Sequence, residues 1–302
     1  MFKGFMFVFV LIAWASACVT TQPLPNVELK SGDLILKRIP DRPASAPIGS
    51  SFITAIKNLP TEARERAILT EIERGNIPGF LRRFRPVRLQ LQQPGRKVVN
   101  ATIWVSPDYL AVGNDKNYVR VPMNPVTAQK IADRFSCILP TTKLVDAIYE
   151  QADIKLTPKP MKAGSAMVSI DYFWRHNSTI ESQLRGFSAG KLIAGHKKDV
   201  VVTNKLKVQP TRVAIYGWHT GPKRPIQPLS LVHGYRYADY SHGIRLISQY
   251  MQIDGRAVNA AEILKDPSLS WLLSNEGPVS SPRIRTELLS FKRQSDHGQK
   301  WL

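Results

Sequence analysis

Three of the chain's six histidines, His219, His233 and His242, crowd into the stretch between Trp218 and Gly243. Asp239 stands three residues before His242, and a fourth histidine opens the run His196-Lys197-Lys198-Asp199. Imidazole changes charge near neutral pH, so a cluster of this kind suits a general base, a general acid or a metal ligand. A carboxylate beside a histidine can orient the ring and stabilise the imidazolium, the third-member role in a nucleophile–base–orienter set. The stretch has no strong nucleophile of its own. Cys137 is the candidate, because the only other cysteine is Cys18, next to the leader. A leftover thiol in an exported protein is a possible nucleophile, although most free cysteines are small buried apolar residues.

Three chemistries fit these residues. The first is a cysteine hydrolase, with Cys137 as nucleophile, His242 as base, and Asp239 or His219 as orienter. Lys197, Lys198 and Arg245 would then bind a substrate carboxylate, and His233 and Trp218 would line the cleft. The second is a binding cleft without catalysis. The third is a metal-dependent hydrolase drawing ligands from His196, Asp199, His219, His233, Asp239 and His242. No H-E-x-x-H or H-x-H spacing supports a metal, and no cofactor is expected.

Charge and address narrow the substrate. Lys plus Arg outnumber Asp plus Glu by 42 to 23, giving a net charge of +19 that attracts polyanions. Met1-Phe2-Lys3, the apolar run Phe5–Ala13 and the small residues Ala15-Ser16-Ala17 have the layout of a secretory signal, and the run is too short to span a bilayer. Cys18 follows directly, where a bacterial lipobox places its lipidated cysteine. The expected partner is therefore an anionic envelope polymer or peptidoglycan, with membrane contact through a lipid on Cys18, rather than nucleic acid. Two cysteines cannot form a disulfide scaffold in a chain of 302 residues.

The elements that must position these residues read as α+β, a mixed helical half followed by a mainly antiparallel, sheet-rich half. Residues 1–17 are the leader and 18–50 a proline-rich tether or wrap with a short strand at Asp33–Ile39. Residues 51–160 read as helices plus a small sheet. A helix capped by Thr61 ends at Gly75-Asn76, and strands follow from Val87 to Val121. A helix with Asn124 as cap and Pro125 at its first position comes next, then a second capped by Thr141 or Thr142. Cys137 sits in the joint between those two, just before a helix start, where free N–H groups would favour a thiolate. Breakers at Thr157–Gly164 suggest a boundary, although 51–280 reads equally as one domain. Ala166–Leu184 is expected to be helical. Residues 161–280 carry strands at Val200–Val202, Arg212–Tyr216, Ile244–Ile247 and Tyr250–Ile253, and a short helix at Asn259–Leu264. Residues 281–302 form a basic tail.

Ser241-His242-Gly243-Ile244-Arg245-Leu246 resembles the S-H-G-C-[IV]-R-L stretch of the L,D-transpeptidase catalytic domain, and His233-Gly234 resembles that family's upstream H-G. Ile244 stands where the family's nucleophilic cysteine would be, so the covalent step of that family has no residue here. The wider run Lys191–Leu246, with Gly195-His196-Lys197-Lys198-Asp199, Gly217-Trp218-His219 and Asp239-Tyr240-Ser241-His242-Gly243, resembles a family of exported bacterial proteins and brings no activity with it. The cysteine-before-histidine order is similar to that of papain-like peptidases. The leading expectation is an exported envelope hydrolase acting on peptidoglycan peptides through Cys137 and His242.

Overall fold

The computed structural model describes residues 32–287. The leader 1–17, Cys18, the start of the proline-rich stretch and the tail beyond 287 lie outside the described residues. The fold is α+β, with helices mainly in the first half and sheets in the C-terminal half. The first half contains β1 (Leu34–Ile35), α1 (Gly49–Ile56), α2 (Thr61–Glu73), β2 (Arg83–Leu91), β3 (Val99–Val105), β4 (Ala111–Asn114), β5 (Asn117–Arg120), α3 (Pro125–Arg134), β6 (Cys137–Ile138), α4 (Thr142–Gln151) and β7 (Ile154–Lys155). The second contains α5 (Ile170–Gln183), β8 (Ile193–Ala194), β9 (Lys198–Val200), β10 (Ile215–His219), β11 (Pro225–Ser230), β12 (His242–Gly243), β13 (Ile247–Ser248), β14 (Tyr250–Ile253), β15 (Arg256–Asn259) and α6 (Ala260–Lys265).

Local chemistry explains most of these boundaries. The Asn124 side chain accepts from the Thr127 N–H and Pro125 takes the first position of α3. Thr141 caps α4 by accepting from Leu144, and Asn259 caps α6 by accepting from Ala261. Thr61 is not a cap: it is already helical, and Pro60 precedes it in an extended conformation. Gly75 ends that segment at φ +88, where a Cβ would lie 2.3 Å from the Pro40 carbonyl oxygen. The helix expected over 166–184 is split. A 3₁₀ turn covers Ser165–Val168, and α5 starts only after Ser169, whose hydroxyl accepts from Tyr172. Of the strand expected at Ile244–Ile247 only Ile247 lies in a strand, β13; residues 244–246 connect it to β12.

The largest sheet joins both halves of the chain. Its order is β1-β2-β3-β13-β6, with β14 pairing with both β3 and β15. Ile247 of β13 lies opposite Val105 on one side and Ile138 on the other. The breaker-rich stretch 157–164 therefore connects segments that share one sheet. Alternation along β3 sends Ala101, Ile103 and Val105 into one apolar cluster and Trp104 into another, so both faces of the strand are buried. The smaller sheet has the order β11-β10-β9-β12, with β12 and β9 parallel. It holds most of the chemically interesting side chains. Among the described residues no helix is long and apolar enough to cross a membrane. The described part of the proline-rich stretch wraps the surface: Leu36, Ile39 and Ala46 are buried, and Arg42 bonds Asn76 and the Ala46 carbonyl.

Candidate functional site

The short parallel pairing of β9 and β12 sets Lys198 beside His242 and Asp199 beside Gly243. Gly243 is required there, because a Cβ would lie 2.5 Å from the Tyr109 ring. Asp239 reaches the same place through the turn before β12, where the His242 N–H donates to the Asp239 carbonyl at 3.0 Å. The Asp239 carboxylate accepts from the Ser241 N–H and hydroxyl at 2.8 and 2.6 Å and from the Tyr237 hydroxyl at 3.0 Å. Burial opposes its ionisation, but His242, the Ser241 donors and Lys198 hold the carboxyl below its usual range. His242 itself is fully buried, and neither ring nitrogen has a protein hydrogen-bond partner. Burial pushes its pKa down to about 4 against the opposing pull of Asp239, so the ring is neutral at pH 7. Tyr237 lies edge-on to it at 5.7 Å, and His233 stacks on Tyr237 at 3.9 Å. Both are half-buried and form the outer wall of the site.

A second buried group adjoins this one. Lys197 points inward, donating to the Tyr240 carbonyl at 2.6 Å, with its Nζ 3.4 Å from Nδ1 of His176. Burial, aided by Arg120, lowers its pKa to about 7. His176 and Trp218 pack edge-on around Tyr240, and their Nε2 and Nε1 atoms also lack protein partners. Trp218 takes φ +61, a left-handed conformation of the kind that costs about 1–3 kcal/mol and persists where surrounding packing imposes it. The Lys198 ammonium sits 5.0 Å from the centre of its ring system.

Several residues singled out in the sequence serve elsewhere. Cys137 lies in the connection between α3 and α4, but on the strand β6, and it is buried in the core with its thiol toward the Phe135 carbonyl at 3.6 Å. Burial alone pushes its pKa well up. A nucleophilic thiolate needs the reverse, a lowered pKa and access. His219, an expected orienter of His242, instead pairs with Asp146 at 2.8 Å and stacks on Tyr149 at 4.7 Å. His196 pairs with Asp108 at 3.0 Å. Arg245 does not face solvent or a cleft. It is buried, donates to the Ser106 and Ile193 carbonyls at 2.8 Å each, and lies over the Tyr109 ring. Tyr109 in turn donates to Asp199 at 2.8 Å. Ile244, at the position of the transpeptidase cysteine, is part of the apolar core. Asp108, Arg120, Asp146 and His176 are central to these networks and were not singled out from the sequence. They come from distant segments, and only the fold brings them to the histidines. Among the described residues no three His, Cys, Asp or Glu side chains are placed to hold a metal ion.

Compared with family models, curated proteins and solved structures, the chain matches none.

Two expected outcomes follow from this arrangement. In the native protein, a thiol reagent should modify Cys137 only as fast as the fold opens, read by mass spectrometry of the Cys137 peptide. Modification within seconds under native conditions would show an accessible thiol. The second concerns Lys197, whose pKa is about 7 in the fold against an ordinary 10.5. Between those values the unfolded chain binds a proton that the native protein does not, so stability rises with pH. Wild type should therefore gain stability relative to Lys197→Met as pH goes from 7 to about 10, measured by urea denaturation. A constant difference would mean that the amine is charged in the fold.

Proposed function

We propose that the protein is an exported hydrolase of cell-envelope material whose chemistry rests on His242, Asp239 and Lys198 rather than on Cys137. The observation that carries this reading is the His242 ring, buried with both nitrogens unpaired, in the same turn as the Asp239 carboxylate. A buried polar group without a partner costs about 1–3 kcal/mol. No protein group bonds either nitrogen, whereas a proton-accepting role gives them a purpose.

The step that fits is water attack on a carbonyl. His242 takes the water proton as the oxygen attacks the carbonyl carbon. Asp239 stabilises the imidazolium that forms, and the Lys198 ammonium sits near enough to stabilise a developing oxyanion. The imidazolium then returns the proton to the leaving amine as the C–N bond breaks. For an exported protein of net charge +19, the matching substrate is an acidic envelope polymer, with peptidoglycan peptides as the first candidate. Tyr237 and His233 must move aside to admit it, which is the behaviour of a lid.

The net charge also supports a second reading, a lipoprotein that binds an anionic polymer without cleaving it. Incubation with purified peptidoglycan separates the two by counting released amino groups. Wild type should release them, His242→Ala and Asp239→Asn should lose at least about a hundredfold, the scale of general acid–base catalysis, and Cys137→Ala should stay close to wild type. Saturable binding with no release from any variant would support the binding protein. Loss of activity in Cys137→Ala, with His242→Ala active, would reinstate the thiol.

A further inference from the structure

We propose that the groove between β5 and α5 is a binding site for an acidic saccharide. The groove has a volume of about 400 Å³, within the range of about 300–1,000 Å³ typical of ligand sites. One wall is the face of α5 that repeats at helical spacing, Trp174, Asn177, Ser178, Glu181 and Ser182, continued by Arg185 just past the end of the helix. The other is the tip of the β4–β5 hairpin, with Lys116 and Tyr118.

The side chains of the two walls are of three kinds. Trp174 is 36% exposed on a face that is otherwise polar. A flat apolar ring open to solvent offers a surface on which the C–H face of a sugar ring can stack. Ser178 and Ser182 are exposed one and two turns further along and can bond ring hydroxyls. Lys116 and Arg185 are exposed cations that form no ion pair among the described residues. The one carboxylate in the groove, Glu181, bonds Arg120 at 2.6 Å, but that guanidinium is also paired with Asp108, so Glu181 offsets one of the two cations and leaves one in excess. The free charge of the groove is therefore positive, and its natural complement is a carboxylate carried by the saccharide.

The walls are also fixed in advance, which lowers the ordering cost of binding. Asn177 donates to the Tyr118 carbonyl at 3.1 Å and accepts from the Arg120 guanidinium at 3.0 Å. Phe80 packs edge-on to Tyr118 at 5.4 Å. The groove shares no side chain with the His242 site, so the two readings stand or fall separately.

Calorimetric titration of the full chain tests the proposal with two probes, the acidic disaccharide N-acetylglucosaminyl-N-acetylmuramic acid and its neutral counterpart di-N-acetylchitobiose. Saturable binding is expected, stronger for the acidic probe. Trp174→Ala should weaken both by about tenfold, equivalent to about 1.4 kcal/mol. Arg185→Glu should weaken the acidic probe and leave the neutral one near its wild-type affinity. Both residues are exposed, so circular dichroism should show both variants folded. The proposal is overturned by an absence of saturable binding, by Trp174→Ala binding like wild type, or by a tetraglutamate peptide that binds as tightly and with the same sensitivity to Trp174→Ala.

Discussion

The buried ion pair between Asp108 and Arg120 is the constraint on which the rest of this interior depends. Both side chains are almost fully buried, and the Asp108 carboxylate takes two bonds from the guanidinium and a third contact from His196. Burial works against ionising Asp108, but Arg120 and His196 outweigh it and hold the carboxyl well below its usual range. Arg120 also bonds Asn177 and Glu181, which ties the hairpin to α5. Removing one member of such a pair costs about 3–5 kcal/mol, because the other charge is left buried and alone. An apolar pair would leave Asn177, Glu181 and His196 without these partners.

That pair fixes the segment His196–Asp199, whose four side chains go to four different places. His196 turns to Asp108, Lys197 to the Tyr240 carbonyl, Lys198 over the Trp218 ring, and Asp199 to Tyr109. Tyr109 in turn packs on Gly243, the residue after His242. Distortion at Asp108 would be passed directly to the strand pairing that sets Lys198 beside His242. The polar interior and the candidate catalytic group are parts of one bonded network, and burial is what keeps His242 neutral within it.

The cap at Asn124, a helix starting at Thr141 or Thr142 and a short helix over 259–264 are legible in the sequence because capping is local chemistry, whereas α1, which has no side-chain cap, is not. The α+β class was legible for the same reason, since periodicity needs only neighbours. The crowding of His233, Asp239 and His242 into one place followed from their closeness along the chain. What was not legible depends on long-range pairing. Cys137 precedes α4 as expected, but its pairing with Ser248, more than a hundred residues away, puts it in the core sheet. His219 reads as an orienter for His242, yet it pairs with Asp146 of α4. Arg245 reads as an anion-binding residue until Ser106 and Ile193 claim its guanidinium. His176, alone on its helix in the sequence, meets Lys197 and Trp218 only through the fold.

The central claim is that His242 is a neutral, buried proton acceptor at the pH where the protein works. Nitrogen-15 NMR of the histidine rings, assigned by comparison with His242→Gln, measures its protonation directly. The His242 signals should remain those of a neutral ring as pH falls from 8 to 5 and should change only as pH approaches about 4. A transition near 6.5, the ordinary histidine value, would show a solvated ring and would contradict the account.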